Sequence, residues 1–154
     1  MKAIVAVLVI AFLAAMPAAA QELKFPLPCT SQPLAGRSIF HHHPGIDKKL
    51  AAYLKAERPA WYAALLLPRA GKGLTPEQTK DQIFGCSFLN REIMRGMTVQ
   101  DVVKMWGRPW DAAATSELTI LHWRIYEPGG VAGVEVTFRG TGPAAVVIDW
   151  TAFR

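Results

Sequence analysis

The sequence predicts an α+β domain in which helices come first in the chain and an antiparallel sheet follows. Three observations carry this reading. Apolar residues up to Trp106 recur at helical spacing, those beyond Pro109 alternate one on, one off, and Gly/Pro clusters punctuate the alternating part.

The best-marked helix follows Gly96 and Met97. Thr98 is its cap, and Asp101 can reach back to the Thr98 N–H, a capping box of the Thr-x-x-Asp type. Val99, Val102, Val103 and Trp106 form one apolar stripe, with Gln100, Asp101 and Lys104 off it. Gly107 ends the helix in the left-handed conformation and Pro109 prevents its continuation.

The first residues stand apart from any core. Lys2 gives a basic start, residues 3–15 are an apolar run, and residues 16–20 close it with a proline and small residues at the positions a signal peptidase reads. This predicts a signal peptide over residues 1–20 and a mature chain beginning at Gln21. The competing reading is a retained anchor, but the run falls short of the roughly 20 residues a helix needs to span a bilayer, and Pro17 interrupts it. About 134 residues then remain, the size of one domain.

The chain carries 17 Lys and Arg against 12 Asp and Glu, so loss of Lys2 with the leader lowers the formal charge from +5 to +4. The basic excess lies before Thr98, without the dense clustering of a nucleic-acid footprint. An anionic membrane surface or an acidic protein patch suits it better than nucleic acid. In an oxidising compartment Cys29 and Cys86 are expected to pair as a disulfide, tying the amino-terminal arm to the body. Closing a loop of this length contributes about 4 kcal/mol in the chain-entropy model. The alternatives are two separate thiols, or a lipid on Cys29. Against a lipid stand Pro28 and the charges of Glu22 and Lys24, and lipid anchoring is not expected.

Along the mature chain, residues 21–37 contain Pro26, Pro28 and Pro33 and read as an extended arm. Residues 38–74 read as a helical extension, with one helix carrying Ile46, Leu50, Tyr53 and Leu54 on a face and another beginning at Pro59 and stopping at Pro68. The second is apolar nearly all round, so it is either buried or meets a partner. Residues 75–154 form the α+β domain proper. Its first helix starts at Thr75 with Pro76 in the first turn and runs toward Arg95, weakened or split at Gly85, Cys86 and Ser87. The alternating stretches 118–126, 131–139 and 144–153 predict a three-stranded meander, with Val146, Ile148 and Trp150 facing one way in the last. Its apolar face is expected to carry the helices.

A Gly-Met-Thr turn, a short capped helix closed by Gly-x-Pro, a Trp-containing strand and a strand ending in Phe come here in a distinctive order. Gly96, Met97, Thr98, Asp101, Val102, Gly107 and Pro109 carry it, with Trp123, Tyr126, Val136, Thr137 and Phe138 in support. Over residues 88–152 the chain resembles the SmpA/OmlA family of small envelope proteins, which includes BamE-like components of outer-membrane β-barrel assembly. More loosely it resembles the β-lactamase-inhibitor-protein-like fold. The resemblance implies a two-layer unit and a binding or scaffolding role in the cell envelope, with no active site. Two features differ: members are typically lipoproteins, and Trp123 and Tyr126 stand three apart where the family spaces them as Trp-x-Tyr. Residues 21–87 have no counterpart there.

Chemistry-bearing residues are few. His41, His42 and His43 are adjacent, and adjacency alone seldom supplies the ligand angles and supporting hydrogen bonds a metal needs, so a solvated loop is expected and no cofactor is assigned. His122 falls on the less apolar face of its strand. No nucleophile elbow, phosphate loop, CxxC or HExxH motif occurs. Of the five tryptophans, Trp106, Trp123 and Trp150 fall at core positions, whereas Trp110 follows the helix stop and is expected to be exposed. Trp110 beside Arg108 is the candidate binding surface, and the helix around Trp61 is the second. The function expected is therefore an exported, non-catalytic binding or scaffolding domain of the envelope with a protein partner. The alternatives are an inhibitor of a periplasmic enzyme, or a metal or haem carrier using the His41 to His43 loop.

Overall fold

The computed structural model describes residues 21–23, 27–28, 47–69, 73–127 and 130–153. Residues 1–20, where a leader is expected, Cys29, most of residues 21–37, where an extended arm is expected, and His41, His42 and His43 lie outside the described residues. Among the described residues four helices precede four strands: α1 (Lys48–Glu57), α2 (Pro59–Leu65), α3 (Pro76–Leu89), α4 (Val99–Trp106), β1 (Asp111–Ala114), β2 (Leu118–Glu127), β3 (Gly130–Arg139) and β4 (Val146–Phe153). No helix among the described residues is long and apolar enough to cross a membrane.

The helix starts follow from their caps. The Asp47 carboxylate accepts from the Lys49 and Leu50 N–H groups at 2.9 and 3.2 Å and begins α1. Pro59 opens α2, and the buried Gln82 amide closes its other end by donating to the Ala64 and Pro68 carbonyls, each at 3.0 Å. The apolar sides of α2 are taken up within the protein: Tyr62, Ala64 and Leu65 are buried, and Trp61 lies 4.8 Å from the Phe84 ring of α3.

Helix α3 is one piece ending at Leu89, where the sequence suggested a break near Gly85 or an extension toward Arg95. Gly85 is a contact point, since a Cβ there would stand 2.9 Å from Leu65 Cγ and 3.0 Å from the Trp61 carbonyl oxygen. The missing side chain lets α2 and α3 approach, which offsets the helix-propensity cost. Cys86, on the same helix, is disulfide-bonded. Arg91 ends α3 in the left-handed region at φ 58°. Its guanidinium then reaches Asp47 at 2.8 Å and the Met105 carbonyl at 3.3 Å, while its own carbonyl accepts from Trp106 Nε1 at 2.9 Å.

Helix α4 has both halves of its capping box, and Gly107 closes it at φ 81°. One part of the sequence reading needs correction here. Asp101 lies on the inner face: it is fully buried, together with Val102 and Met105, while Val99, Val103 and Trp106 are only partly buried. Its carboxylate accepts from Tyr53 Oη at 2.9 Å, Arg58 Nη2 at 3.0 Å, the Thr98 N–H at 2.9 Å and the Thr98 hydroxyl at 3.0 Å. Those donors replace the water that a buried carboxylate loses. Burial, then the hydrogen bond to Asp101 and its negative charge, push the Tyr53 hydroxyl well above the usual phenol range. The free N–H groups of α4 are met from far along the chain, Val99 donating to the Ala145 carbonyl at 2.9 Å and Gln100 to that of Pro143 at 3.1 Å.

The sheet is antiparallel throughout in the order β1-β2-β3-β4. It has four strands where three were expected. The additional strand, β1, is exposed along its whole length and reads Asp-Ala-Ala-Ala, so it lacks the alternation by which a half-buried strand announces itself. Leu121, Trp123, Val134, Val136, Phe138 and Val147 make the buried face. In β4 the inward residues are Val147, opposite Phe138, and the partly buried Trp150, opposite Val136, with Val146 exposed. Phe138 pairs with Val147 and Thr137 with Asp149, so Ile148 is an extra residue that shifts the alternation read from the sequence. Helices α1, α2 and α3 pack chiefly on one another. Around α4 the sheet is met directly: Trp106 stands edge-on to Trp123 at 5.5 Å, Trp123 Nε1 donates to the Gly107 carbonyl at 2.9 Å, and Val147 exchanges backbone bonds with Gly96 and Met97 at 3.0 and 2.8 Å.

Candidate functional site

The face of the sheet opposite that buried layer carries the chemistry. Antiparallel register sets Asp111, His122 and Glu135 side by side on three neighbouring strands. His122 Nε2 stands 2.9 Å from Glu135 Oε2, and Nδ1 stands 3.8 Å from Asp111 Oδ2. Nδ1 is itself buried without a hydrogen-bond partner among the described residues. The imidazole is thus held between two carboxylates, and Nε2 is the nitrogen that donates.

Trp110 borders this row. Gly107 and Pro109 turn the chain out of α4, and the Trp110 N–H donates to the His122 carbonyl at 2.9 Å, which fixes the backbone while the indole stays 53% exposed. The Arg124 guanidinium lies over that ring at 4.6 Å from its centroid, and the His122 ring lies 5.9 Å away. Register continues the row from Arg124 through Gly133 to Phe153. A Cβ on Gly133 would fall 2.3 Å from Phe153 Cε2, so the glycine makes room for that ring, which is 48% exposed. An exposed indole, a stacked guanidinium and an exposed phenyl ring therefore follow one another across the sheet.

Of the residues singled out from sequence, Trp110 and Arg108 are both exposed, and the cation stacked on Trp110 is Arg124. Trp61, in the second candidate surface, is half-buried between Phe84 and Phe88 and carries Arg58 over its ring at 5.5 Å. Cys86 is bonded, and Cys29 lies outside the described residues, as do the three adjacent histidines. Among the described residues no group of three or more His, Cys, Asp or Glu side chains is arranged to hold a metal ion. Sequence reasoning did not find Arg124, Glu135, Gly133 or Phe153. Their alternation was visible, but their adjacency depends on strand register, which alternation does not contain. What this arrangement offers chemically is contact: rigid aromatic area, a planar cation and fixed carboxylates.

No protein-family model matches the chain, and neither the curated proteins nor the solved structures contain a match.

Proposed function

We propose that this protein is an exported, non-catalytic binding domain of the cell envelope, which takes a protein partner on the open face of its sheet at Trp110 and Arg124. The observation that carries the reading is the half-exposed Trp110 indole, anchored through its backbone to His122 and covered on one face by Arg124. A large aromatic held rigid beside an arginine loses little entropy on binding, and such pairs dominate interface energetics. The alternating apolar and charged groups around it suit a protein surface of mixed polarity.

The envelope setting rests on the leader pattern of residues 1–20 and on the likeness to the SmpA/OmlA family. A capped helix closed by Gly107 and followed by an antiparallel sheet bearing a buried Trp123 supports that likeness. In this reading the helices form one layer and the sheet the other, its outer face left for the partner. A role in outer-membrane protein assembly or envelope integrity follows from the same likeness, and the basic residues before Thr98 suit an anionic membrane surface.

The test is affinity capture from an envelope extract with the mature chain from Gln21, beside a Trp110→Ala, Arg124→Ala variant and a separate Arg108→Ala variant. A partner held by the native chain and lost by the double variant supports the site. A partner held equally by both variants removes the open face from the proposal. If the captured partner is a hydrolase whose activity falls on binding, the protein is an inhibitor acting through the same face.

A further inference from the structure

We propose that Gln21 becomes the amino-terminal residue and closes to a pyroglutamyl lactam, an inference that rests on the reading of residues 1–20 as a cleaved leader. Cleavage after Ala20 would free the α-amine of a glutamine, the one residue whose own side-chain amide can be attacked by that amine to give an uncharged five-membered ring. The α-nitrogen forms a bond to the side-chain carbonyl carbon, the bond from that carbon to the amide nitrogen breaks, and ammonia leaves. Nothing is oxidised or reduced, and no co-reactant is needed.

The structure favours the product. Tyr62 Oη donates to the Gln21 carbonyl oxygen at 2.7 Å, and Leu23 packs against the core two residues further on. Residue 21 is therefore docked on α2 through its backbone carbonyl, an atom that cyclisation leaves intact, while the residue itself is exposed and its side chain has room to close. Lys55 Nζ already stands 5.8 Å from the centroid of the same Tyr62 ring. The lactam removes an ammonium from the side of α2 where Lys55 already lies, and with it the free amine that aminopeptidases require.

The experiment expresses the full precursor with its leader, quenches the exported product in acid, reduces it and measures its intact mass and fragment ions. The expected product has the mass of residues 21–154 less about 17 Da, the mass of one ammonia, with the loss located at Gln21. It resists aminopeptidase, whereas the product of Gln21→Ala shows no such loss and is trimmed. A product of residues 21–154 with its ammonia retained overturns the lactam and leaves the leader reading standing. A product that starts elsewhere, or that keeps the leader, overturns both.

Discussion

Arg58 and Asp101 meet at 3.0 Å across the junction of α1 and α2 with α4, and the carboxylate is fully buried while the guanidinium keeps 26% of its side-chain surface in water. The two partners are therefore unequal. Asp101 depends on Arg58, Tyr53 and Thr98 for all of its solvation, whereas Arg58 can fall back on solvent.

The inequality predicts asymmetric mutants. Arg58→Ala leaves the fully buried Asp101 carboxylate without its cation and is expected to cost about 3–5 kcal/mol in urea denaturation. Tyr53→Phe is expected to cost about 1 kcal/mol. Asp101→Ala loses the cap and the acceptor of the partly buried Tyr53 hydroxyl but leaves Arg58 to solvent, and should fall between them. Equal losses for Asp101→Ala and Tyr53→Phe would show that the carboxylate is not the hub.

Stability should also depend on pH at both extremes. The Tyr53 hydroxyl is raised in the folded state, so its contribution is complete below the ordinary phenol range and is lost as pH rises above about 10. Asp47 behaves in the opposite sense. Burial alone would raise it, but bonds from the Leu50 N–H, Arg91 and the Lys49 N–H outweigh burial and hold it below its ordinary value. Its contribution is present above about pH 4 and lost on acidification below that. Thermal melts across pH check both: Tyr53→Phe should flatten the alkaline limb and Asp47→Asn the acid limb.

Gly85→Ala separates two opposing effects. Helix propensity favours alanine by about 1 kcal/mol, but the new methyl would enter space held by Leu65 and the Trp61 carbonyl. A net destabilisation of about 1–3 kcal/mol is expected, because the carbonyl is backbone and yields little. A stabilised variant would mean that α2 and α3 are not packed this closely.

The disulfide at Cys86 should join it to Cys29, the chain's other cysteine. Peptide mapping without reduction is expected to recover the two together, and Cys86→Ala to cost about 2–5 kcal/mol. Separate recovery of the two peptides would show that Cys29 and Cys86 are not joined.

Much of the fold was legible because local signals agreed. Thr75 with Pro76 and Thr98 with Asp101 announced helix starts that the structure keeps, and alternation around Trp123 and Val136 announced strands. What stayed hidden depended on distance in the chain. Asp101 reads as a polar surface position until Arg58 and Tyr53 are brought to it, and β1 has no pattern until β2 lies beside it. At the open face Trp110 was legible as a large apolar residue just outside a helix. Its stacking on Arg124 came from register.

The bonds from Val99 and Gln100 to the carbonyls of Ala145 and Pro143 bear on the order of folding events. The first turn of α4 borrows its acceptors from the turn between the last two strands, so that turn of helix is complete only when β3 and β4 have been joined. Contacts of such long sequence separation slow folding, and they make the helix start and the carboxy-terminal hairpin a single cooperative unit. In native-state hydrogen exchange the amides of Val99 and Gln100 should open with the hairpin, at a free energy near that of global unfolding, and not with the fraying ends of a short helix.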